Sequence, residues 1–361
     1  MEQVGRFVTS RVQPWESVLD GGGPAASSAL AGLRREAKEA GLWALPLPRS
    51  CGGQGWGLGE YFAVAEAEGA SDHGPAALGS ASLLDVRMLS AFGTGAVRER
   101  WVRALVSGEA RGSYAMTEPG VAGSDPGAVR LRATRVAGGW VLSGRKWFVS
   151  GVREAAFTTV LAAGASLFVV PTDAPGFRVV RDLPVLGALG QVEVELDEVR
   201  VGEEALLGEV GQGLVIAGTR LALGRTLRCL RWVGQAERAY RLLCARAVSR
   251  EVGGVPLGDR QLVRQHVFES ALAVRSARAL VHEAAALVAA GEDARIEIGL
   301  AKVAAARTLT RVVDSATQVY GAEGLTPTTP LPMLTRLART ARILDGADEL
   351  HIDTTARRLL R

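Results

Sequence analysis

This 361-residue chain contains four histidines and three cysteines, side-chain types that commonly bind metals or act as nucleophiles. The four histidines lack the spacing of a metal site, and the three cysteines are odd in number without ligand spacing. We therefore expect no metal and reduced, buried thiols. These residues are His73, His266, His282 and His351, with Cys51, Cys229 and Cys244. The positive charge is almost all arginine, whose forked guanidinium suits phosphate, so the sequence favours a phosphate-bearing small molecule or an acidic carrier protein as partner.

The overall composition is that of a folded enzyme. Hydrophobic residues make up 48% of the chain and charged residues 22%, far from the composition of a disordered protein. The formal charge is +4, without a basic tail or a basic block interleaved with aromatics, so no nucleic-acid partner is expected. No uninterrupted run of about eighteen apolar residues occurs, and the first residues do not resemble a signal peptide. These features predict no membrane association and a cytoplasmic location.

A glycine-rich segment, GEVGQG at 208–213, is a candidate dinucleotide fingerprint. A Rossmann fingerprint requires a preceding strand, a following helix and an acidic residue about 20 positions further on, within a βαβ unit. The surrounding pattern contains no such unit. We therefore interpret the segment as a glycine turn that leads into a long helix.

The elements that must position a site change in type along the chain. Residues 27–106 are alanine-rich with helical spacing, and residues 113–201 contain six short runs of β-branched and aromatic residues between glycine turns. Long helical patterns return after residue 213, with a final helix over 331–361. The pattern predicts an α+β fold. Its expected domains are an all-α domain at 1–112, a β-domain at 113–212 and a helical domain at 213–361.

Four segments, in order along the chain, resemble signatures of the acyl-CoA dehydrogenase family. They are YAMTEPGVAGSD at 114–125, GRKWFVSG at 144–151, DEVRVGEEALLGEVGQGLVIAGTRLALGR at 197–225, and QVYGAEGLTPTTPLPMLTRLARTARILDGADELH at 318–351. The most similar branch has an aspartate base, as in acyl-CoA dehydrogenase family members 10 and 11. The resemblance implies an acyl-CoA dehydrogenase-like fold: an N-terminal helical domain, a middle antiparallel β-domain and a C-terminal four-helix bundle. It also implies FAD as the cofactor.

The first two segments carry the residues that, as the resemblance implies, contact the flavin bound by the same subunit. At Val149 the hydroxyl residue usual in the family is missing, so only the backbone amide could serve there. The implied residues are Tyr114, Met116, Thr117, Gly123, Ser124, Trp147, Val149 and Ser150.

The resemblance also implies the catalytic groups. The family's glutamate base falls on Asp345, and Arg225 matches an arginine near the base. In some members the base lies at a second position. That position is Gly224 here, which has no side chain to accept a proton. Glu349 matches an acid near the cofactor. The thioester carbonyl is implied to bind a flavin ribityl hydroxyl and the backbone N–H of Asp345, where enolate charge develops.

Further residues match family positions that reach the FAD of a neighbouring subunit, which implies a homodimer or homotetramer. At Gly253 a phenylalanine of the family pattern is missing, and at Ala322 a second glycine is missing. The matching residues are Arg250, Gln261, Gln318, Gly321 and Ala322.

The resemblance implies an FAD-dependent dehydrogenase of fatty acid metabolism that oxidises an acyl-CoA and passes electrons to an electron-transfer flavoprotein. An acyl-carrier-protein dehydrogenase of a biosynthetic pathway and a flavin oxidase of the nitroalkane-oxidase type remain open alternatives. A fourth possibility is a scaffold without catalytic activity, but the acid retained at Asp345 argues against it.

Overall fold

The computed structural model describes residues 2–361, which form two compact units. The helical unit, as we call it, contains the residues up to Pro14, Gly57–Pro75 and Ala222–Arg361. The mixed unit contains Trp15–Trp56 and Ala76–Leu221. The division into three consecutive domains stays a prediction.

Twelve α-helices occur within residues 2–361, and local sequence explains where several begin and end. For example, the helix at Gly95–Ser107 begins after Thr94, whose Oγ1 accepts the Val97 N–H at 3.3 Å, and ends at Gly108 with φ of +83°. The helices are α1 (Glu2–Phe7), α2 (Glu16–Gly21), α3 (Gly23–Glu39), α4 (Leu58–Gly69), α5 (Gly74–Leu78), α6 (Leu83–Phe92), α7 (Gly95–Ser107), α8 (Gly213–Ser249), α9 (Gln261–Ala290), α10 (Arg295–Tyr320), α11 (Leu331–Ala341) and α12 (Asp348–Leu359).

The strands of the mixed unit form two four-stranded sheets, ordered β1-β4-β5-β8 and β2-β3-β7-β6, while β9 and β10 form a separate hairpin in the helical unit. All six predicted runs are strands, β2 to β7, and all pairings are antiparallel except β1 with β4. The strands are β1 (Gly112–Ala115), β2 (Arg132–Val136), β3 (Gly139–Ser150), β4 (Phe157–Ala162), β5 (Ser166–Pro171), β6 (Phe177–Asp182), β7 (Gln191–Gly202), β8 (Leu206–Leu207), β9 (Glu251–Val252) and β10 (Val255–Pro256).

The core of the mixed unit is built from the alternating inward side chains of both sheets. Leu142 and Val194 come from one sheet, Val160 and Phe168 come from the other, and all four are fully buried. Burial of this apolar surface is the main force that holds the sheets together. The predicted α+β fold, with helices before and after a β region, is confirmed.

In the helical unit, the end of the chain differs from the single final helix that the sequence predicts. The segment forms two helices, α11 and α12, both packed on α10. Between them, Asp345 and Gly346 have φ of +57° and +95°. Left-handed backbone at two consecutive residues breaks the helix. The turn between α11 and α12 carries the predicted catalytic aspartate.

Helices α4 and α8 approach each other closely through two glycines of the helical unit. A Cβ added at Gly234 would lie 2.1 Å from the Glu66 carbonyl oxygen, and one at Gly69 would lie 2.5 Å from the Arg231 Cα. Only glycine permits this separation. The close packing brings the residues after α4, including Asp72, beside the arginines of α8.

No helix among residues 2–361 has the length and apolar character needed to cross a membrane. Of the three thiols, Cys229 is buried as predicted, but Cys51 and Cys244 are half-buried, so the prediction of burial is wrong for these two. Cys51 lies in a short turn of 3₁₀ helix, where the chain does not cover it fully.

Candidate active site

The Asp345 turn is held through the backbone carbonyl of Asp345 itself. Arg225 donates from Nε to this oxygen at 3.0 Å, and His351 Nε2 lies 3.0 Å from it. Gly346 allows the histidine to approach, since a Cβ there would lie 2.8 Å from His351 Nε2. Two donors on one carbonyl fix the orientation of the peptide, and with it the direction of the carboxylate.

The Asp345 carboxylate faces an arginine. Arg228 donates from Nε to Oδ2 at 3.2 Å, and the two side chains are 33% and 25% exposed. The carboxylate is therefore fixed in place but still accessible, as a proton acceptor for a bound substrate must be. The backbone N–H of Asp345 makes none of the hydrogen bonds found among residues 2–361, so it is free to donate to a ligand.

Arg225, Arg228 and Arg231 share one face of α8, because residues three apart on a helix are neighbours. Asp72, from the segment after α4, accepts from Arg231 Nη1 at 2.9 Å and lies 3.9 Å from Arg228 Nη1. The five residues Asp72, Arg225, Arg228, Arg231 and Asp345 form what we call the α8 charge cluster.

The charges of the α8 charge cluster perturb one another. Burial acts to raise the pKa of Asp72, but Arg231 and Arg228 lower it to about 2. Burial lowers the pKa of Arg225, although Asp345 acts to raise it. Burial also lowers the pKa of His351, against the opposing effect of its bond to the Asp345 carbonyl. At neutral pH, Asp72 is therefore ionised and His351 is neutral, which suits an Nε2–H that donates to Asp345.

A second, buried ion pair anchors the start of α12 directly after the turn. Lys302 and Asp348 are both fully buried, with Nζ 3.0 Å from Oδ1. The other carboxylate oxygen of Asp348 accepts from Arg342 Nε at 3.0 Å. Because Asp348 is three residues after Asp345, this pair fixes the far end of the Asp345 turn.

In the mixed unit, the two segments predicted for the flavin lie side by side. The Thr117 hydroxyl donates to the Trp147 carbonyl at 2.7 Å, and the Trp147 N–H donates to the Thr117 carbonyl at 3.0 Å. Ser113 Oγ donates to the Ser150 carbonyl at 2.9 Å. Thr117 and Trp147 are half-buried and Ser150 is exposed, so these segments form an accessible edge.

Buried polar groups lie beneath this accessible edge, and one of them hydrogen-bonds to its backbone. Lys146 is fully buried, and its Nζ donates to the Met116 carbonyl and to Glu118 Oε1, both at 2.8 Å. The Tyr114 hydroxyl is buried, has no hydrogen-bond partner in the part of the chain that the structure describes, and burial raises its pKa to about 12. An unsatisfied buried hydroxyl in this segment is compatible with a bound polar cofactor.

The remaining flavin-side residues occupy different surroundings. Gly123 and Ser124 lie in the exposed turn after Thr117, and Val149 is fully buried in β3. The Val149 side chain therefore packs in the β core, so only its backbone can serve a ligand.

The residues expected to reach a neighbouring subunit all lie on the surface of this chain. Arg250 follows α8, Gln261 begins α9, and Gln318 lies in the last turn of α10. Gly321 has φ of +68° and ends α10, with Ala322 next to it. All five are exposed, as is Glu349 in the first turn of α12. Exposure leaves these side chains available to a partner subunit.

Sequence reasoning missed the roles of Arg228, Arg231 and Asp348. The i, i+3, i+6 spacing of the α8 arginines could have revealed their common face. Asp72 and Lys302 gave no comparable signal, because their positions beside the turn depend on tertiary packing.

No group of three or more histidine, cysteine or acidic residues among residues 2–361 could hold a metal ion. A cavity of about 1440 Å³ lies in the helical unit between α1, α4, α8 and α9, and Asp345 does not line it.

Three family models match the chain in order. They are "Acyl-CoA dehydrogenase, N-terminal domain" over residues 1–109, "middle domain" over 113–199 and "C-terminal domain" over 211–360. The chain belongs to the acyl-CoA dehydrogenase family. It is therefore an oxidoreductase that acts on CH–CH groups, and the predicted family is confirmed.

Curated relatives cover the chain to different extents. It is 36% identical to "Probable acyl-CoA dehydrogenase FadE2" of Mycobacterium tuberculosis, over 90% of this chain and 84% of that protein. It is 32% identical to (R)-benzylsuccinyl-CoA dehydrogenase of Thauera aromatica, over 99% of this chain and 94% of that protein. Acyl-CoA dehydrogenase family member 11 of Gallus gallus is 32% identical over 90% of this chain, but the match spans only 44% of that longer protein.

Solved structures share the fold along the whole chain. A probable acyl CoA dehydrogenase from Mycobacterium abscessus superposes with a TM-score of 0.87 at 28% identity, covering 99% of this chain and 97% of that one. Butyryl-CoA dehydrogenase from Megasphaera elsdenii gives 0.89 at 24% identity, covering 100% and 97%, and shows likeness of fold.

Proposed function

We propose that this chain is an FAD-dependent acyl-CoA dehydrogenase with Asp345 as its base. Asp345 removes a proton from the α-carbon of an acyl thioester, and the β-hydrogen leaves as a hydride to form the α,β double bond. One observation carries the assignment of the base. The Asp345 carboxylate is accessible, while its backbone carbonyl accepts hydrogen bonds from Arg225 and His351.

The other groups of the turn have positioning roles. Arg225 orients the Asp345 peptide and is a positioning residue, since it touches the carbonyl and not the carboxylate. The backbone N–H of Asp345 is a donor for the thioester carbonyl. A donor fixed where negative charge develops lowers the barrier by a few kcal/mol, on the order of 3. The chain thus provides both the proton acceptor and a donor for the enolate oxygen.

FAD, when bound, supplies the acceptor for the hydride. Its ring edge would be held by Met116, Thr117, Trp147 and the backbone of Val149, with Tyr114, Gly123, Ser124 and Ser150 around them. The reciprocal bonds between Thr117 and Trp147 support this, because they present two backbone segments together at one accessible edge.

We assign the exposed residues Arg250, Gln261, Gln318, Gly321, Ala322 and Glu349 to FAD contacts, the first five across a subunit interface. The protein is then a homodimer or homotetramer. Sedimentation of the flavin-loaded protein should give an oligomer, whereas a monomer that retains FAD would contradict this assignment.

The substrate class is supported by the relatives. One of them carries a benzylsuccinyl-CoA dehydrogenase name, which makes a coenzyme A thioester the first choice over an acyl-carrier-protein thioester. An electron-transfer flavoprotein is the expected electron acceptor, and the cytoplasm is the expected location.

The experiment that tests this function is a panel of acyl-CoA and acyl-carrier-protein thioesters added to the flavin-loaded protein without oxygen. We expect at least one acyl-CoA to bleach the flavin absorbance and to yield the 2-enoyl product. If no thioester bleaches the flavin, the proposal is wrong. Rapid recovery of absorbance on admitting oxygen would instead identify an oxidase.

A further inference from the structure

The α8 charge cluster contains more positive than negative charge. Arg228 and Arg231 pair with the carboxylates of Asp72 and Asp345, and Arg225 donates to the Asp345 backbone carbonyl, so three guanidinium groups lie beside two carboxylates and leave one excess positive charge beside the base. Arg231 Nε is also buried, with no hydrogen-bond partner among residues 2–361. A buried donor without an acceptor is costly, so both observations point to a missing anionic acceptor.

Arg228 and Arg231 are spaced to hold a carboxylate between them. Residues three apart on a helix have Cβ atoms about 5–6 Å apart, and each guanidinium carries five donors. Asp72 illustrates the geometry, since one of its oxygens lies 2.9 Å from Arg231 Nη1 and 3.9 Å from Arg228 Nη1. Asp72 and Asp345 use only part of this donor set, so a further acceptor can be accommodated.

We infer that Arg228 and Arg231 recognise a carboxylate on the acyl group of the substrate, so that the enzyme acts on dicarboxylic acyl thioesters. A carboxylate is favoured over a phosphate because a single negative charge balances the cluster. The inference rests on the proposed function, since it assigns the acyl group oxidised at Asp345. Arg228 and Arg231 are then specificity-determining residues.

The distance between Arg228 and Asp345 limits the length of the acyl group. Arg228 Nε is 3.2 Å from Asp345 Oδ2. Contacts of about 3 Å from the carboxylate to the arginine and from the α-carbon to the base place the carboxylate within roughly 9 Å of the α-carbon. Glutaryl and adipyl groups, whose carboxyl carbons are three and four bonds of about 1.5 Å from the α-carbon, fit within this limit.

The reaction on such a substrate is balanced with FAD as the oxidant. The α C–H bond breaks and its proton goes to Asp345, while the β C–H bond breaks and its hydrogen leaves with the electron pair as a hydride, for which FAD, when bound, would be the acceptor. The carboxylate stays bound to the arginines throughout.

The test compares matched ligands on the flavin-loaded protein. Glutaryl-CoA is paired with valeryl-CoA and adipyl-CoA with hexanoyl-CoA, and flavin bleaching gives kcat/KM. Calorimetry with the 2-enoyl forms of glutaryl-CoA and valeryl-CoA measures binding without turnover. We expect the carboxylate-bearing member of each pair to be favoured at least about tenfold, as for a hydrogen bond to a charged group.

Variants distinguish a loss of carboxylate recognition from a general loss of ligand binding or folding. Arg228→Met should abolish the difference in calorimetric affinity between the carboxylate-bearing and neutral ligands, and Arg228→Lys should keep part of that difference. Arg241→Leu, at an exposed arginine of the same helix, is the matched control and should change neither affinity.

The outcomes distinguish this inference from the proposed function. If neutral acyl-CoAs bleach the flavin as well as or better than their carboxylate partners, the inference is overturned and the dehydrogenase assignment stands. If no acyl-CoA of either kind binds, both are overturned. If Arg228→Met does not fold, the wild-type pairs decide alone.

Discussion

Replacing Asp348 by alanine tests how the Asp345 turn is anchored. Asp348 begins α12, three residues after Asp345, and is fully buried against the Lys302 ammonium at 3.0 Å. Arg342 and Arg307 also face Asp348, but their side chains are 40% and 56% exposed. After the substitution these two arginines can turn to water. Lys302 cannot, so its charge is left buried without a counterion.

The expected cost follows from that unpaired charge. Removing one partner of a buried ion pair destabilises a protein by about 3–5 kcal/mol. Since domains typically have about 5–15 kcal/mol of stability in total, the variant should lose a large share of it. The double variant Asp348→Leu with Lys302→Met removes both charges, and it should recover most of the loss.

Urea unfolding followed by circular dichroism measures these changes. Asp353→Ala is the matched control on the same helix, because Asp353 and Arg357 form an ion pair with side chains 54% and 71% exposed. Exposed pairs contribute at most about 1 kcal/mol. If Asp348→Ala is no less stable than Asp353→Ala, or if the double variant is no better than the single one, the anchoring role assigned to this pair is wrong.

Two further predictions concern α8 and the histidine of the turn. Gly234→Ala places a Cβ 2.1 Å from the Glu66 carbonyl oxygen and should destabilise by about 1–3 kcal/mol. Gly218→Ala on the same helix is the control: the added Cβ meets no atom within 4 Å, so this change should stabilise the protein by up to about 1 kcal/mol. Equal urea midpoints for the two variants would contradict the close packing at Gly234. The pKa of His351 is lowered by burial, so below its unfolded value of about 6.5 the unfolded state binds the proton first and stability falls as the pH drops. His351→Gln should lose less stability than wild type between pH 7 and pH 5, and equal losses would refute the neutral histidine.

The β region shows what sequence patterns can and cannot predict about the fold. Strands β2 to β7 were predictable, because each is a run of β-branched, aromatic or other apolar residues long enough to form one strand between turns. Strands β1 and β8 have four and two residues, too few for alternation to be recognised. Their strand conformation depends on partners, since β1 pairs with β4 about 45 residues further along the chain.

The candidate site shows the same division. Asp345 could be placed from the family motif, and the α8 arginines follow from helical spacing. The break in the final helix was not predicted, because the positive φ of Asp345 accompanies a tertiary contact with Arg225 that apolar spacing does not indicate. Asp72 and Lys302 reach the turn through close packing of α4 on α8 and of α10 on α12, which no local pattern encodes.

The proton acceptor assigned to Asp345 is tested most directly by Asp345→Asn. Asparagine keeps the size of the side chain and can still accept a bond from Arg228, but it cannot take up the α-proton. With a proven thioester substrate, the flavin-loaded variant should stay folded and yellow, and its rate of flavin bleaching should fall by about a hundredfold to ten-thousandfold. A variant that binds flavin and is bleached at the wild-type rate would show that Asp345 is not the base.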